Sequence, residues 1–137
     1  NIKVWGFWNI LGEEAFGRPS EEEIRPWYWA WSLMCRYFPK GCDINAVELT
    51  GSGEVRACAA ESDGRHTVAV VNWSSEDVQI SMQVPYTFLN ALVYVYEESG
   101  AYRDAEGSLV PSLTGICGDA VSVNVPAQSL TVITDMQ

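Results

Sequence analysis

The period of the hydrophobic pattern changes at Cys42, and this change limits the possible folds more than any other feature of the chain. Over residues 27–38, ahead of Cys42, apolar residues recur every three or four positions, as on one face of a helix. After it they alternate with polar residues, as on a strand with one buried face. Residues 78–84 show this alternation most clearly. The sequence therefore predicts an all-β region after Cys42.

Seven short strands are predicted in this region, with turn residues between them. The Asp63-Gly64 pair is typical of a two-residue hairpin turn. Residues 100–118 are rich in glycine and serine and are predicted as a long loop with a minor strand. Short strands at this spacing indicate a mainly β fold, an antiparallel β-sandwich of about seven or eight strands. The predicted strands cover residues 43–49, 55–60, 67–72, 78–84, 92–96, 121–125 and 129–134.

A strand, a polar loop and a helix are predicted ahead of this sandwich. Residues 2–9 form a short, largely apolar run, typical of a strand buried on both faces. Ser20 and Glu23 have the spacing of a capping box, which explains the acidic run 21–23 without a catalytic or metal role. The helix is predicted over 27–38, ended by Pro39 and Gly41. Trp27, Trp31, Met34 and Phe38 make one predicted apolar face, and Tyr28, Trp29 and Leu33 widen it, so burial on more than one side is expected.

Tryptophan is concentrated at the N-terminal end of the chain, where five of the six fall within the first 31 residues. Each ring buries roughly 150–250 Å², so this is more aromatic surface than a small β-domain needs. We interpret the N-terminal segment as fitted to a surface larger than this chain supplies. The five are Trp5, Trp8, Trp27, Trp29 and Trp31, and Trp73 is the sixth.

The net charge of −10 argues against nucleic acid as a partner, since binding the phosphate backbone requires clustered lysine and arginine. No apolar run reaches the roughly 18–20 residues of a membrane span, so no membrane partner is predicted. The chain starts at Asn1 without an initiator methionine and without a signal peptide. The numbering is therefore expected to begin inside a processed protein or an excised fragment.

Four cysteines, Cys35, Cys42, Cys58 and Cys117, leave two alternatives open. They can remain reduced thiols packed as small hydrophobic residues, or form disulfides, for which three connectivities exist. No pair has the spacing of a zinc site, and no metal or cofactor is predicted.

The order of the elements resembles the C-terminal end of retaining glycoside hydrolases built from a (β/α)8 barrel and a β-sandwich. In such enzymes, residues 4–9 would form the last barrel strand, and residues 26–41 the last barrel helix. The resemblance implies a barrel remnant at 1–42 and an accessory β-sandwich at 43–137. The stretches most like that sandwich are 55–60 with Asp63-Gly64, 67–72 running into Ser74, and 125–134.

The resemblance also implies where the chemistry lies. The two catalytic carboxylates of these enzymes lie on earlier barrel strands, the acid/base after an asparagine, and this chain has no Asn-Glu pair. No catalytic residue is therefore predicted here. In these enzymes the last barrel strand often carries a tryptophan that stacks on sugar. The resemblance therefore implies that Trp8, rather than Trp5, binds substrate. The alternative for both is a core tryptophan between barrel strand and helix.

Several other candidates lie in the β region. Trp73 is expected in a partly exposed loop, contacting glycan or the missing barrel, or else packing over one end of the sandwich. Asn72 to Ser74 form a glycosylation sequon, which we interpret instead as a strand-ending turn. The lone His66 is predicted as a surface or edge residue. Asp104 and Glu106 lack the ligand ladder of a calcium loop.

Three functional hypotheses remain. The first is a non-catalytic accessory sandwich of a carbohydrate-active enzyme that braces the catalytic barrel. The second is a free-standing carbohydrate-binding module, and the third is a structural or adhesion sandwich. The expected partners are carbohydrate through the parent enzyme, and either the missing barrel or a second copy through the Trp-rich segment. An extracellular location is favoured.

Overall fold

The computed structural model describes residues 28–51, 53–97 and 100–136, and within them the chain forms one helix and seven strands. The strand pairs are all antiparallel, which confirms the mainly β antiparallel prediction. The elements are α1 (Tyr28–Tyr37), β1 (Asp43–Ala46), β2 (Val55–Ser62), β3 (Arg65–Asn72), β4 (Val78–Glu97), β5 (Gly100–Ala101), β6 (Leu113–Val125) and β7 (Ser129–Thr134).

Strand β4 belongs to two layers. Its first half pairs with β6, in the register Val78↔Val125 to Gln83↔Ala120. Its second half pairs with β7, from Leu92↔Thr134 to Tyr96↔Leu130. We call the two-stranded unit formed by the first half of β4 and by β6 the ribbon. We call the rest of the sheet the main layer. Its strand order is β1-β2-β3-β7-β4-β5, and β4 contributes its second half to it.

The two faces of the main layer pack against different elements. On β3, Val68 and Val70 join a core shared with the ribbon, whereas Ala69 and Val71 join a core shared with α1. This follows from the period of two along a strand, which sends neighbouring side chains to opposite faces. The ribbon and the main layer form the sandwich, and the helix covers the outer face of the main layer.

The helix is buried most deeply at the margin of the predicted apolar arc rather than at its centre. Trp29, Leu33 and Tyr37 are the buried residues of α1, whereas Trp31 and Met34 are only partly buried. Trp29 and Leu33 belong to the predicted arc, whereas Tyr37 was not predicted; the helix is apolar almost all round, so its periodicity does not select which residues are buried most deeply. Tertiary contacts select them: the Tyr37 ring lies 5.2 Å, centroid to centroid, from the ring of Tyr94 on β4.

The strands also differ from the prediction between residues 84 and 118. The predicted strands at 78–84 and 92–96 are parts of one strand, β4, with irregular register between Gln83 and Val93. Strand β6 already begins at Leu113, inside the predicted loop. Gly115 and Gly118 suggested a loop, but both lie within this irregular pairing with positive φ angles of 80° and 108°. Positive φ is easy for glycine and lets a strand bulge without ending.

The hairpin turn predicted at Asp63-Gly64 is confirmed. Asp63 has a φ of 53° and Gly64 a φ of 72°, and the flanking residues Ser62 and Arg65 are paired. Two successive positive φ angles define the turn type whose twist matches that of the flanking strands. This turn sets the register that brings β2 and β3 together.

The four cysteines are free thiols, so the disulfide alternative is not realised. Burial raises the pKa of the Cys58 thiol. No helix in the described part of the chain has both the length and the apolar character needed to cross a membrane. The predicted strand at 2–9, the capping box at 20–23 and the tryptophans Trp5, Trp8 and Trp27 lie outside the described residues.

Candidate functional site

Trp73 is the most exposed tryptophan among the described residues, with 56% of its surface accessible. It follows β3 directly, and its backbone N–H donates to the carbonyl of Glu54 at 3.2 Å. The Arg56 guanidinium lies 5.8 Å from the centre of the indole ring. The same guanidinium donates to the carbonyl oxygens of Val55 and Gly53. The exposure predicted for Trp73 is confirmed, and its ring is held beside a fixed cation.

The turn that carries Trp73 is fixed by Asn72, which is fully buried. Its amide nitrogen lies 2.9, 3.2 and 3.0 Å from the carbonyl oxygens of Glu76, Val125 and Pro126. Its side-chain oxygen accepts from the backbone N–H of Ser74 at 3.0 Å and from the Ser74 hydroxyl at 2.7 Å. The interpretation as a strand-ending turn asparagine is confirmed. Because its amide nitrogen is enclosed and bonded, this asparagine is not presented for glycosylation.

A shallow groove of about 430 Å³ opens beside Trp73. Its lining is mostly apolar and includes Ala30 of α1, Val71 of β3 and Leu130 of β7. Two of its polar side chains are already bonded, since the Ser129 hydroxyl donates to the Pro126 carbonyl and Asn72 holds the turn. The Trp73 groove therefore provides a stacking surface with few free hydrogen-bonding groups for sugar hydroxyls.

His66 is packed rather than exposed, so the prediction of a surface or edge residue is wrong. Its side chain is only 15% accessible and stacks face to face on the Tyr86 ring, with centroids 3.5 Å apart. Its Nε2 lies 3.9 Å from a carboxylate oxygen of Glu61. Its backbone N–H donates to Asp135 Oδ1 at 2.7 Å. The sequence could have predicted this burial, because His66 lies two positions before Val68 on the same strand and so faces the same side, toward the core of the sandwich.

The surroundings of Tyr86 favour its neutral form. Burial, followed by the negative charges of Asp135 and Glu61, raises the pKa of Tyr86 to about 12. Each of these effects disfavours a phenolate. The aromatic pair therefore stays uncharged on the tyrosine side well above neutral pH.

We expect Tyr86 to make the stability of the protein pH-dependent in the alkaline range. The folded pKa lies above the ordinary value of 10.0, so this contribution is complete below pH 10 and is lost as pH rises toward 12. In Tyr86→Phe the fall in the free energy of unfolding over this range should be smaller than in the wild type. Urea titrations at several alkaline pH values measure the free energy of unfolding of both proteins. If it falls equally with pH in the two proteins, the pKa of the Tyr86 phenol is not raised in the folded state.

One of the two carboxylates considered for metal binding, Asp104, holds a turn. Asp104 accepts a hydrogen bond from the backbone N–H of Ser108 at 2.7 Å and so closes a turn. Within the described ranges, no group of three or more histidine, cysteine, aspartate or glutamate residues is arranged to hold a metal ion.

Parts of several glycoside hydrolases share this fold. An endoxylanase of family 30 from Clostridium papyrosolvens matches 86% of this chain with a TM-score of 0.68 and 14% identity, over 29% of its own length. A family 30 subfamily 8 xylanase from Clostridium acetobutylicum matches 91% with a TM-score of 0.70 and 14% identity, over 32% of its length. The catalytic domain of xylanase C from Talaromyces cellulolyticus matches 77% with a TM-score of 0.50 and 16% identity, over 23% of its length.

The chain thus spans less than a third of the length of these three structures. No protein-family model matches the sequence. No curated protein matches it either. At such low identity the likeness shows the fold, which is the one these glycoside hydrolases contain as a part of their chains.

Proposed function

We propose that this chain is the accessory β-sandwich of a larger carbohydrate-active enzyme, a glycoside hydrolase, and that it braces the catalytic barrel. The observation that carries the proposal is the burial of Leu33 and Tyr37, which are 0% and 1% accessible. Both come from the helix that the family resemblance assigns to the barrel. They share one apolar core with Ala69 and Val132 of the main layer.

This core crosses the proposed division between residues 1–42 and 43–137. Burial of apolar surface stabilises by about 25 cal/mol per Å², so a helix embedded in this way resists separation from the sheet. A barrel that ends in such a helix would be fixed to the sandwich through its own last element. The likeness to parts of xylanases supports the same arrangement, since the matched region covers most of this chain.

The test uses the polypeptide encoded by the complete gene and the same polypeptide without residues 43–137. Glycoside hydrolysis by the complete polypeptide, with a lower Tm and more aggregation in the shortened one, is the expected result. Loss of the sandwich exposes the apolar face of α1, which favours association. A shortened protein of unchanged Tm and full activity would contradict a bracing role.

Substrate contact within this proposal is assigned to Trp8. The pyranose C–H faces pack well on an aromatic plane, and the resemblance implies a tryptophan on the last barrel strand. In the complete enzyme, Trp8→Ala should raise KM for polysaccharide and leave Tm close to that of the wild type.

The exposed Trp73 favours a second candidate function, a free-standing carbohydrate-binding module. In that case Trp73→Ala should weaken binding to soluble polysaccharide, measured as retardation in gels that contain it, by about fivefold or more, since a stacked aromatic ring contributes about 1–3 kcal/mol where it stacks on a nucleic-acid base. Tyr102→Ala is the matched control, because Tyr102 is also 56% accessible. Equal mobility of all three proteins across a polysaccharide panel would contradict this second function and leave the accessory role.

A further inference from the structure

The outer face of the main layer continues beyond the part that α1 covers. On β3, Ala69 packs in the core that it shares with Leu33 of α1. Val71 lies two residues further along the same face and lines the Trp73 groove. Ala30 of α1 lines the groove as well. The groove therefore lies between the helix and the turn that carries Trp73.

Four side chains form a row across the strands at this groove. Val71 pairs with Arg56 on β2 and with Leu130 on β7. Leu130 pairs in turn with Tyr96 on β4. Register partners point to the same face of a sheet and neighbouring strands lie 4.7–4.9 Å apart, so the row is about 14 Å long. It runs from a cation, over two aliphatic side chains, to an aromatic ring.

Arg56 is held in place at its end of this row. Its Nη1 donates to the carbonyl oxygens of Val55 and Gly53, and its Cζ lies 5.8 Å from the centre of the Trp73 ring. A guanidinium also carries donors on Nη2 and Nε, in a planar fork that matches a carboxylate. Because the side chain is already fixed, a carboxylate placed beside it would form a charge-assisted hydrogen bond at a small entropic cost.

The rest of the groove favours a flat, apolar ligand. Val71 and Leu130 carry no hydrogen-bonding side chains, and those of Asn72 and Ser129 are already bonded. The exposed ring of Trp73 forms one wall. Sugar hydroxyls need hydrogen-bond partners when they are buried, whereas an aromatic ring needs only an apolar surface. The volume of about 430 Å³ lies within the range of small-molecule sites.

We propose that the Trp73 groove binds planar aromatic carboxylates. The ring of the ligand packs on Val71 and Leu130 against Trp73, and its carboxylate accepts hydrogen bonds from Arg56. This inference goes beyond the proposed accessory function. It also differs from the second candidate function, in which Trp73 stacks on polysaccharide, because the apolar floor and the cation are both used by one ligand.

Calorimetric titration of the complete polypeptide with trans-cinnamate tests the proposal. Methyl cinnamate is the matched ligand, since it has a similar shape and no charge. We expect cinnamate to bind at least about fivefold more tightly than its ester, because only the acid forms a charge-assisted hydrogen bond with Arg56. Equal affinities of acid and ester, or no measurable binding of cinnamate, would overturn the inference.

Two variants of the complete polypeptide locate the site. Trp73→Ala and Arg56→Gln should each weaken cinnamate binding by about fivefold or more, with Tm confirming that each variant is folded. The controls are Tyr102→Ala, which removes an equally exposed ring, and Arg103→Gln, which removes an arginine 5.1 Å from the ring of Trp29. If the controls weaken binding as much as the variants in the groove, the inference is wrong.

Competition separates this inference from the two candidate functions. We expect soluble polysaccharides to leave cinnamate binding unchanged. A polysaccharide that displaces cinnamate from the wild type, and that binds more weakly to Trp73→Ala, would make the groove a sugar site and overturn the inference. Removal of residues 43–137 tests the accessory role without an aromatic ligand, so the failure of one proposal is distinguishable from the failure of the other.

Discussion

Replacing Asn72 with alanine is expected to lower the free energy of unfolding by about 3–4 kcal/mol, a large effect for one side chain. The amide of Asn72 joins the end of β3 to the carbonyls of Val125 and Pro126, and its oxygen holds Ser74. Alanine leaves these groups without their partner, and for the Val125 carbonyl the lost bond is a buried one. The cost of such unsatisfied groups exceeds the value of the bonds themselves. Urea denaturation followed by tryptophan fluorescence measures the change.

Two further variants make this result specific. Asn72→Asp keeps the shape and the acceptor for Ser74 but turns an oxygen toward the carbonyls, so it should also destabilise strongly. Asn124→Ala is the control, because Asn124 is exposed and bonds only to Asp77 Oδ2 at 3.1 Å among the contacts described. If Asn72→Ala and Asn124→Ala have similar small effects, the hydrogen-bonded turn does not stabilise the fold as described.

Truncation of Leu33 to alanine is expected to cost about 3 kcal/mol, because the side chain is fully buried between α1 and the main layer. The effect combines the lost transfer free energy with the cavity that a rigid sheet leaves unfilled. A single cooperative unfolding transition should persist, since the helix and the sheet share one core. Circular dichroism and fluorescence, followed in the same urea titration, check both points.

Cys35→Ala is the control for this helix variant, because Cys35 lies two residues away on the exposed face of α1. It should change the free energy of unfolding by no more than about 0.5 kcal/mol. Equal effects at both positions would contradict the docking of α1 on the sheet, and with it the main support for the bracing role.

The alternation of side chains made most of the β-region predictable. Residues 78–84 and 121–125 were assigned correctly because each strand has one buried and one exposed face, which leaves a period of two in the sequence. The Asp63-Gly64 turn was predictable because few residue pairs accept two positive φ angles. Both signals come from residues that are neighbours in the sequence, so they can be recognised without knowing the tertiary contacts.

The features that were missed depend on contacts between distant residues. Proline at 85 and the irregular register after Gln83 hide the continuity of β4, which is maintained by pairing with β6 and β7. The buried face of α1 is selected by Tyr94, 57 positions after Tyr37 in the sequence. The packing of His66 depends on its stack with Tyr86. Of the candidate sites, the exposure of Trp73 was predictable, whereas binding by Trp73 or Trp8 stays a prediction.

The position of β7 has a consequence for synthesis of the protein. This strand lies between β3 and β4, yet it is translated after both. During elongation on the ribosome, the edges of β3 and β4 that pair with β7 remain unpaired until β7 has been synthesised. Non-local pairing of this kind slows folding and leaves unpaired, aggregation-prone strand edges exposed in the meantime. A premature stop codon just before Ser129 would therefore remove the centre of the main layer rather than trim its end, leaving a nascent chain that chaperones must hold or proteases destroy.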